Sequence, residues 1–284
     1  MISIAKRNIR IFFRDRSAVF FSLLAVFIII GLYVLFLGDV FAQGMGSLPG
    51  IRFLMDSWIM AGLLAVTSVT TTMGAFGVMV EDRSNKTLRD FLASPLKRRS
   101  LVGGYVISSF AIGVIMSVIT LVLAEIYIVA NGGELLSLFD LAAVLGLILL
   151  SVFAGNAMVL FMVSFFRSQN AFATACTVIG TLIGFLTGIY IPISQLPPPV
   201  QLVIKVFPVS HAGALLRRVM MERPLSVSFA GAPQEAIDNF SQGMGIYFRF
   251  GDTVTTAGFN IAVLVATAVL FYALALWNVS RKQK

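Results

Sequence analysis

The chain has 284 residues, 58% of them hydrophobic and 12% charged, with a mean hydropathy of +0.94. A soluble domain carries about 25% charged residues, so this composition excludes both a soluble globular protein and a disordered one. A single cysteine, Cys176, excludes an internal disulfide framework, and one cysteine with one histidine, His211, excludes the usual His/Cys zinc sites. In an apolar chain the net charge of +8 points to basic loops on the cytoplasmic side rather than to nucleic acid.

Residues 2–16 read as an amphipathic helix. Ile2, Ala5, Ile9, Phe12 and Phe13 share one face, and Lys6, Arg10 and Arg14 form a basic ridge on the other. Such a helix lies in the headgroup plane as an interfacial element, serving as an anchor or as a transmitter of force. Six runs then reach the roughly 20 apolar residues that a bilayer core requires: Ser17–Leu37, Ser57–Val80, Leu101–Ala130, Leu141–Phe166, Ala171–Ile193 and Thr253–Trp277. Val40-Phe41-Ala42 has the form of a signal cleavage site, but the 21-residue run before it exceeds the roughly 7–15 residues of a signal core, so a retained span is expected. Lys and Arg concentrate before span one, between spans two and three, between four and five, and after six, which puts both termini in the cytoplasm of a multi-pass membrane protein.

Span two carries Thr67, Thr70 and Thr71 on one face, a polar stripe that suits either a translocation path or another helix. The loop 81–100 begins Glu81-Asp82-Arg83 and continues through Thr87-Leu88 and Phe91-Leu92 to Ser94-Pro95. Leu88, Phe91 and Leu92 stand at helical spacing, and Pro95 ends the helix. A short helix with an apolar stripe and a charged rim reads as a docking element for a soluble partner. Span three holds Glu125, an intramembrane acid and therefore a path candidate. Asn156 in span four reads as an interhelical hydrogen-bond partner. Span five carries Gly180, Gly184 and Gly188, a doubled GxxxG that favours close helix packing, within the chain or with a second copy. The segment 194–252 contains two short Pro-bounded apolar helices that suit a re-entrant element, or else a compact extracellular cap.

No Gly-Lys dipeptide exists, so the chain has no Walker A phosphate loop; His211 lacks a serine elbow and reads as structural. No catalytic residue and no metal site is expected. The fold expected is all-α and polytopic: six transmembrane helices in a single transmembrane domain over 1–284, with the interfacial helix at 1–16.

In these features the chain resembles the membrane permease subunits of type-2 ATP-binding cassette (ABC) exporters. The resemblance rests on Glu81-Asp82-Arg83, Thr87-Leu88, Phe91-Leu92, Ser94-Pro95 and Arg98 in the first cytoplasmic loop, and on Gly188, Pro192, Leu196-Pro197, Pro208 and Arg217 after span five. Lys86 stands where that loop usually has Gly. The resemblance implies a plasma-membrane export channel made by two permease copies, identical or different, and driven by a separate cytoplasmic ATPase. ATP and Mg would bind in that partner, with no cofactor in this chain. It also implies that residues 81–95 are the coupling helix, that residues 1–16 are the connecting helix beside it, and that spans two and five line the path. The nearly charge-free spans favour a hydrophobic or amphipathic cargo, such as a drug, antibiotic or lipid-like molecule. A polysaccharide or ion exporter of the same family, or a non-transporting sensor or anchor subunit, are the alternatives.

Overall fold

The computed structural model describes residues 1–33, 35, 48–87, 91 and 98–281. Helices dominate them, in the order α1 (Ile2–Arg14), α2 (Arg16–Leu32), α3 (Ile51–Ser84), α4 (Arg98–Ala130), α5 (Leu138–Val163), α6 (Gln169–Leu186), α7 (Pro198–Val206), α8 (Pro208–Met220), α9 (Glu222–Ser228), α10 (Gln234–Gly243) and α11 (Ala257–Arg281). A two-stranded hairpin, β1 (Arg249–Phe250) and β2 (Thr253–Val254), precedes α11. Helices α3, α4, α5, α6 and α11 are each long and apolar enough to cross a membrane. The first expected span is α2, with 17 described helical residues; its expected end at 34–37 lies largely outside the described residues.

Helix α3 is the axis of the bundle. It packs against α2, α4, α5, α6, α8 and α9, and its side chains are buried on nearly every face. It is longer than the apolar run suggests, 34 residues or about 50 Å. Its first turns take in Arg52 and Asp56, which pair at 3.6 Å four residues apart, with the Asp56 side chain 1% exposed. Helix α5 packs along α11, and α1 lies against α4. The exterior is an apolar belt that includes Ile115, Ile119 and Val122 on α4, Leu149 and Phe153 on α5, and Val265 and Val269 on α11. Polar groups turn inward. Asn156 Nδ2 donates to Ser109 Oγ at 2.9 Å, and Tyr272 donates to Asn156 Oδ1 at 3.0 Å, joining α4, α5 and α11. This is the interhelical role its sequence position suggests.

Two ends of the bundle are distinguishable. At one, α1 lies against the end of α3 and the start of α4. At the other, α8 and α9 pack against the start of α3, and Trp58 Nε1 donates to Met244 O, just after α10, at 2.8 Å. Here α7 and α8 form a bent pair crossing at 84°. Phe207 is extended (φ −70°, ψ 123°), the conformation that a following proline favours, and Pro208 then opens α8 with no N–H to satisfy.

Candidate functional site

The most ordered constellation of charge lies where α3 ends. Glu81 is exposed, Asp82 is buried and Arg83 is half-buried, because consecutive helix positions point about 100° apart. Each therefore meets different surroundings. Arg7 Nη1 and Nη2 donate to Asp82 Oδ2 and Oδ1 at 2.7 and 2.9 Å, a bidentate pair across 75 residues. Tyr105 of α4 donates its hydroxyl to the same carboxylate at 2.5 Å. Arg7 also lies 5.2 Å from the Phe91 ring centroid. The Asp82 hydrogen bond pushes the Arg7 guanidinium above its ordinary pKa, against a smaller opposing effect of burial. Next to it, Arg83 Nη1 donates to Val163 O at 3.1 Å and Phe166 O at 2.6 Å. It thereby caps the carbonyls at the C-terminus of α5, where the helix dipole is negative. Two adjacent residues thus tie the end of α3 to α1, α4 and α5.

Helix α1 buries Ile4, Ala5, Asn8 and Phe12. Ile2, expected on the apolar face, is 79% exposed, so the buried face is rotated from the one the apolar periodicity marks. The reason is the surface it meets: Met1 and Ile4 occupy the space that Cβ atoms at Gly103 and Gly104 would need, and Asn8 donates to Ser108 at 3.3 Å. The ridge of Lys6, Arg10 and Arg14 is exposed, as the sequence suggests.

Beyond α3, Lys86 has φ +63°, the one non-glycine residue with positive φ among the described residues. The left-handed turn at this position is the backbone freedom that a Gly would provide without strain. Thr87 and Phe91 are described; Leu88, Leu92, Ser94 and Pro95 lie outside the described residues.

The hydroxyls of Thr67, Thr70 and Thr71 bond within α3 itself. Thr67 and Thr71 are buried and Thr70 is half-buried; each donates to a carbonyl one turn earlier in its own helix, at 2.8, 2.7 and 3.2 Å. Thr71 and Thr72 abut Gly113 of α4. Glu125 accepts from Leu136 N at 3.1 Å and so fastens the turn that leads into α5. It lines a cavity of about 180 Å³ that also holds Ser57, Glu134, Asp140 and Arg223. His211 bridges structural elements, its ring nitrogens 2.8 Å from Asn260 Oδ1 and 2.9 Å from Lys205 O.

The three glycines of the fifth expected span separate into three roles. Gly180 has open space beside it, while the Tyr190 ring of the same chain covers Gly184. Gly188 lies beyond the helix with φ +64°. Gly188 N bonds Phe185 O at 3.1 Å and Ile189 N bonds Gly184 O at 3.0 Å, the Schellman ending that needs a left-handed residue at this point. Arg217, wholly buried, donates to Thr187 O and Gly188 O at 3.2 Å each, and its guanidinium stacks 5.0 Å from the Trp58 ring.

A hydroxyl line missed from the sequence stands on the open face of α6. Asn170, Thr174, Thr177 and Thr181 recur at i, i+4, i+7 and i+11, and all four are exposed. The signal lies in that spacing, on a span that also carries Gly180 and Gly184.

Comparison with known proteins agrees with this architecture. No curated protein matches the chain. The family described as ABC-2 family transporter protein matches residues 48–277. That match takes in the bundle from the start of α3 to the last turns of α11. It identifies the chain as a multi-pass membrane protein that belongs to the ABC-2 transporter family.

Proposed function

We propose that this chain is the permease subunit of an ATP-driven exporter, moving a hydrophobic or amphipathic cargo such as a drug, antibiotic or lipid-like molecule out of the cell. ATP and Mg bind in a separate cytoplasmic ATPase, and two permeases form the path. The observation that carries the reading is the cluster at Asp82 and Arg83. It sits immediately before the loop 85–97 and joins the end of α3 to α1, α4 and α5. A displacement imposed on that loop by a docked ATPase therefore moves several helices together, and α3 carries it along the axis of the bundle. Coupling of this kind requires the cargo to bind the two resulting states unequally.

In this reading both termini and the loop 81–100 face the cytoplasm, α1 is the connecting helix, and residues 194–252 form a re-entrant cap on the outer side. The open face of α6 meets the second permease, with Gly180 giving close approach and Asn170, Thr174, Thr177 and Thr181 offering a polar line along an otherwise apolar path. Thr67, Thr70 and Thr71 stand on α3, which packs against α6, and Glu125 stands at the turn into α5, shaping the protomer that bears this face.

The test is purification of the tagged chain from its native membrane in mild detergent, with mass spectrometry of every stoichiometric partner, for the unaltered chain and for Leu88→Asp and Phe91→Asp. An ATPase that accompanies the unaltered chain and is lost from both variants, with the permease itself still recovered, is the expected result. Recovery of the chain alone, or unchanged partner recovery in both variants, would refute the docking role.

A further inference from the structure

At the end of the bundle opposite α1, a polar cavity of about 310 Å³ lies between α7, α10 and the hairpin. That volume is at the lower end of the range for ligand sites, roughly 300–1,000 Å³. Its lining includes Ser194, Lys205, Asn239, Gln242, Tyr247 and Arg249, with two cations and no carboxylate among all its lining residues. The nearest acid in sequence, Asp238, borders the cavity through Tyr247 without lining it: its Oδ1 accepts from Gln234 Nε2 at 3.0 Å, and its main-chain oxygen accepts from Tyr247 at 2.8 Å. The side chains of Ser194, Lys205, Asn239, Gln242 and Arg249 make no hydrogen bond or ion pair with any described residue. Asn239 and Gln242, three residues apart on α10, share one helix face. The cavity therefore gathers two fixed positive charges, two carboxamides and a hydroxyl, all unengaged.

Helix α7 also carries an apolar flank. Leu202, Val203 and Val206 are 58%, 54% and 64% exposed, and together with Phe207 and Pro208 they line an apolar depression of about 450 Å³. Polar cavity and apolar depression thus share one helix. Lys205 contributes to the first, and Val206, next to it in sequence, contributes to the second with Leu202 and Val203 one turn earlier.

We propose that this cavity binds the phosphate headgroup of an anionic phospholipid, with its acyl chains along the Leu202–Val206 flank of α7. Lys205 and Arg249 neutralise the phosphate, and Ser194, Asn239 and Gln242 hydrogen-bond its ester and polyol oxygens. The site is separate from the cluster at Asp82 and does not depend on the identity of the cargo.

The experiment uses the full chain in nanodiscs of phosphatidylcholine mixed with phosphatidylglycerol, with retained lipid read by native mass spectrometry. A second arm titrates glycerol 3-phosphate into the chain in pure phosphatidylcholine discs. The proteins compared are the unaltered chain, the double variant Lys205→Gln/Arg249→Gln, and Arg218→Gln, which removes an exposed charge outside the cavity. Neither Lys205 nor Arg249 has a side-chain partner that folding requires. The expected result is selective retention of phosphatidylglycerol by the unaltered chain and by Arg218→Gln, with about a tenfold loss in the double variant, since the contacts are charge-assisted but partly exposed to screening. Equal retention by all three proteins, or an equal loss in Arg218→Gln, would overturn the site. Binding of glycerol 3-phosphate without preference for the lipid would overturn the lipid assignment in favour of a soluble phosphate.

Discussion

Replacing Arg7 by Met tests the junction at which a push on the loop after α3 would enter the bundle. The guanidinium makes two hydrogen bonds to Asp82, whose side chain is 8% exposed while that of Arg7 is 33% exposed. Hydrogen bonds to charged groups contribute about 1.5–3 kcal/mol, and solvent at the exposed side of Arg7 screens part of that gain, so the substitution should cost about 2 kcal/mol. Tyr105 still donates to Asp82 and keeps the carboxylate from being wholly orphaned. Because α1 rests on α4 and on this pair, the cost should appear as local release of α1 rather than as global unfolding. Hydrogen exchange in nanodiscs reads it directly: 2 kcal/mol corresponds to about 30-fold faster exchange of the α1 amides. The α5–α11 interface, remote from the pair, should keep its protection. Combining Arg7→Met with Asp82→Asn should give a coupling energy of similar size, since each single change already removes the shared interaction. Exchange in α1 altered by less than about threefold, or additive effects in the double variant, would refute the reasoning.

Three further outcomes follow from the geometry. Lys86→Gly relieves the left-handed strain at φ +63° and should stabilise the end of α3 by about 0.5–1 kcal/mol, seen as slower amide exchange at Glu81–Asn85; faster exchange there would contradict it. Asn156→Leu removes the acceptor of Tyr272 and the donor to Ser109 and should cost about 1 kcal/mol, the scale of interhelical hydrogen bonds in membranes, measured as a lower thermal midpoint in detergent. Gly180→Leu puts bulk on an open face, so the protomer should keep its thermal midpoint while cross-linking to the proposed second permease diminishes; unchanged cross-linking would remove α6 from that proposed interface.

Much of the architecture was legible because lipid imposes a simple rule: a helix must satisfy its own backbone and show apolar side chains outward for the thickness of the bilayer. Five of the six expected runs appear as long apolar helices, and the bent pair at Phe207 follows from its prolines. The Glu81-Asp82-Arg83 segment was also recognisable, since its charges interrupt an apolar pattern. The site was less legible. Sequence spacing placed Thr67, Thr70 and Thr71 on one face but could not say that Thr71 abuts Gly113 of α4, because nearly every face of α3 is covered. Hydropathy began span two at Ser57, whereas the helix begins at Ile51, since packing and the Arg52–Asp56 pair extend it beyond the apolar run.

By itself, then, the sequence determined the solvent of this protein, its helical class, the position of its charged loop and the turns set by proline. These depend on local composition and on backbone satisfaction, which neighbours along the chain already specify. Only the tertiary structure decided that Arg7 meets Asp82 across 75 residues, that Arg83 caps α5, that Gly188 ends a helix rather than packing one, and that the hydroxyl line of α6 lies on an open face. Each of these depends on which surface covers which, and that is fixed by the packing of distant helices rather than by periodicity within any one of them.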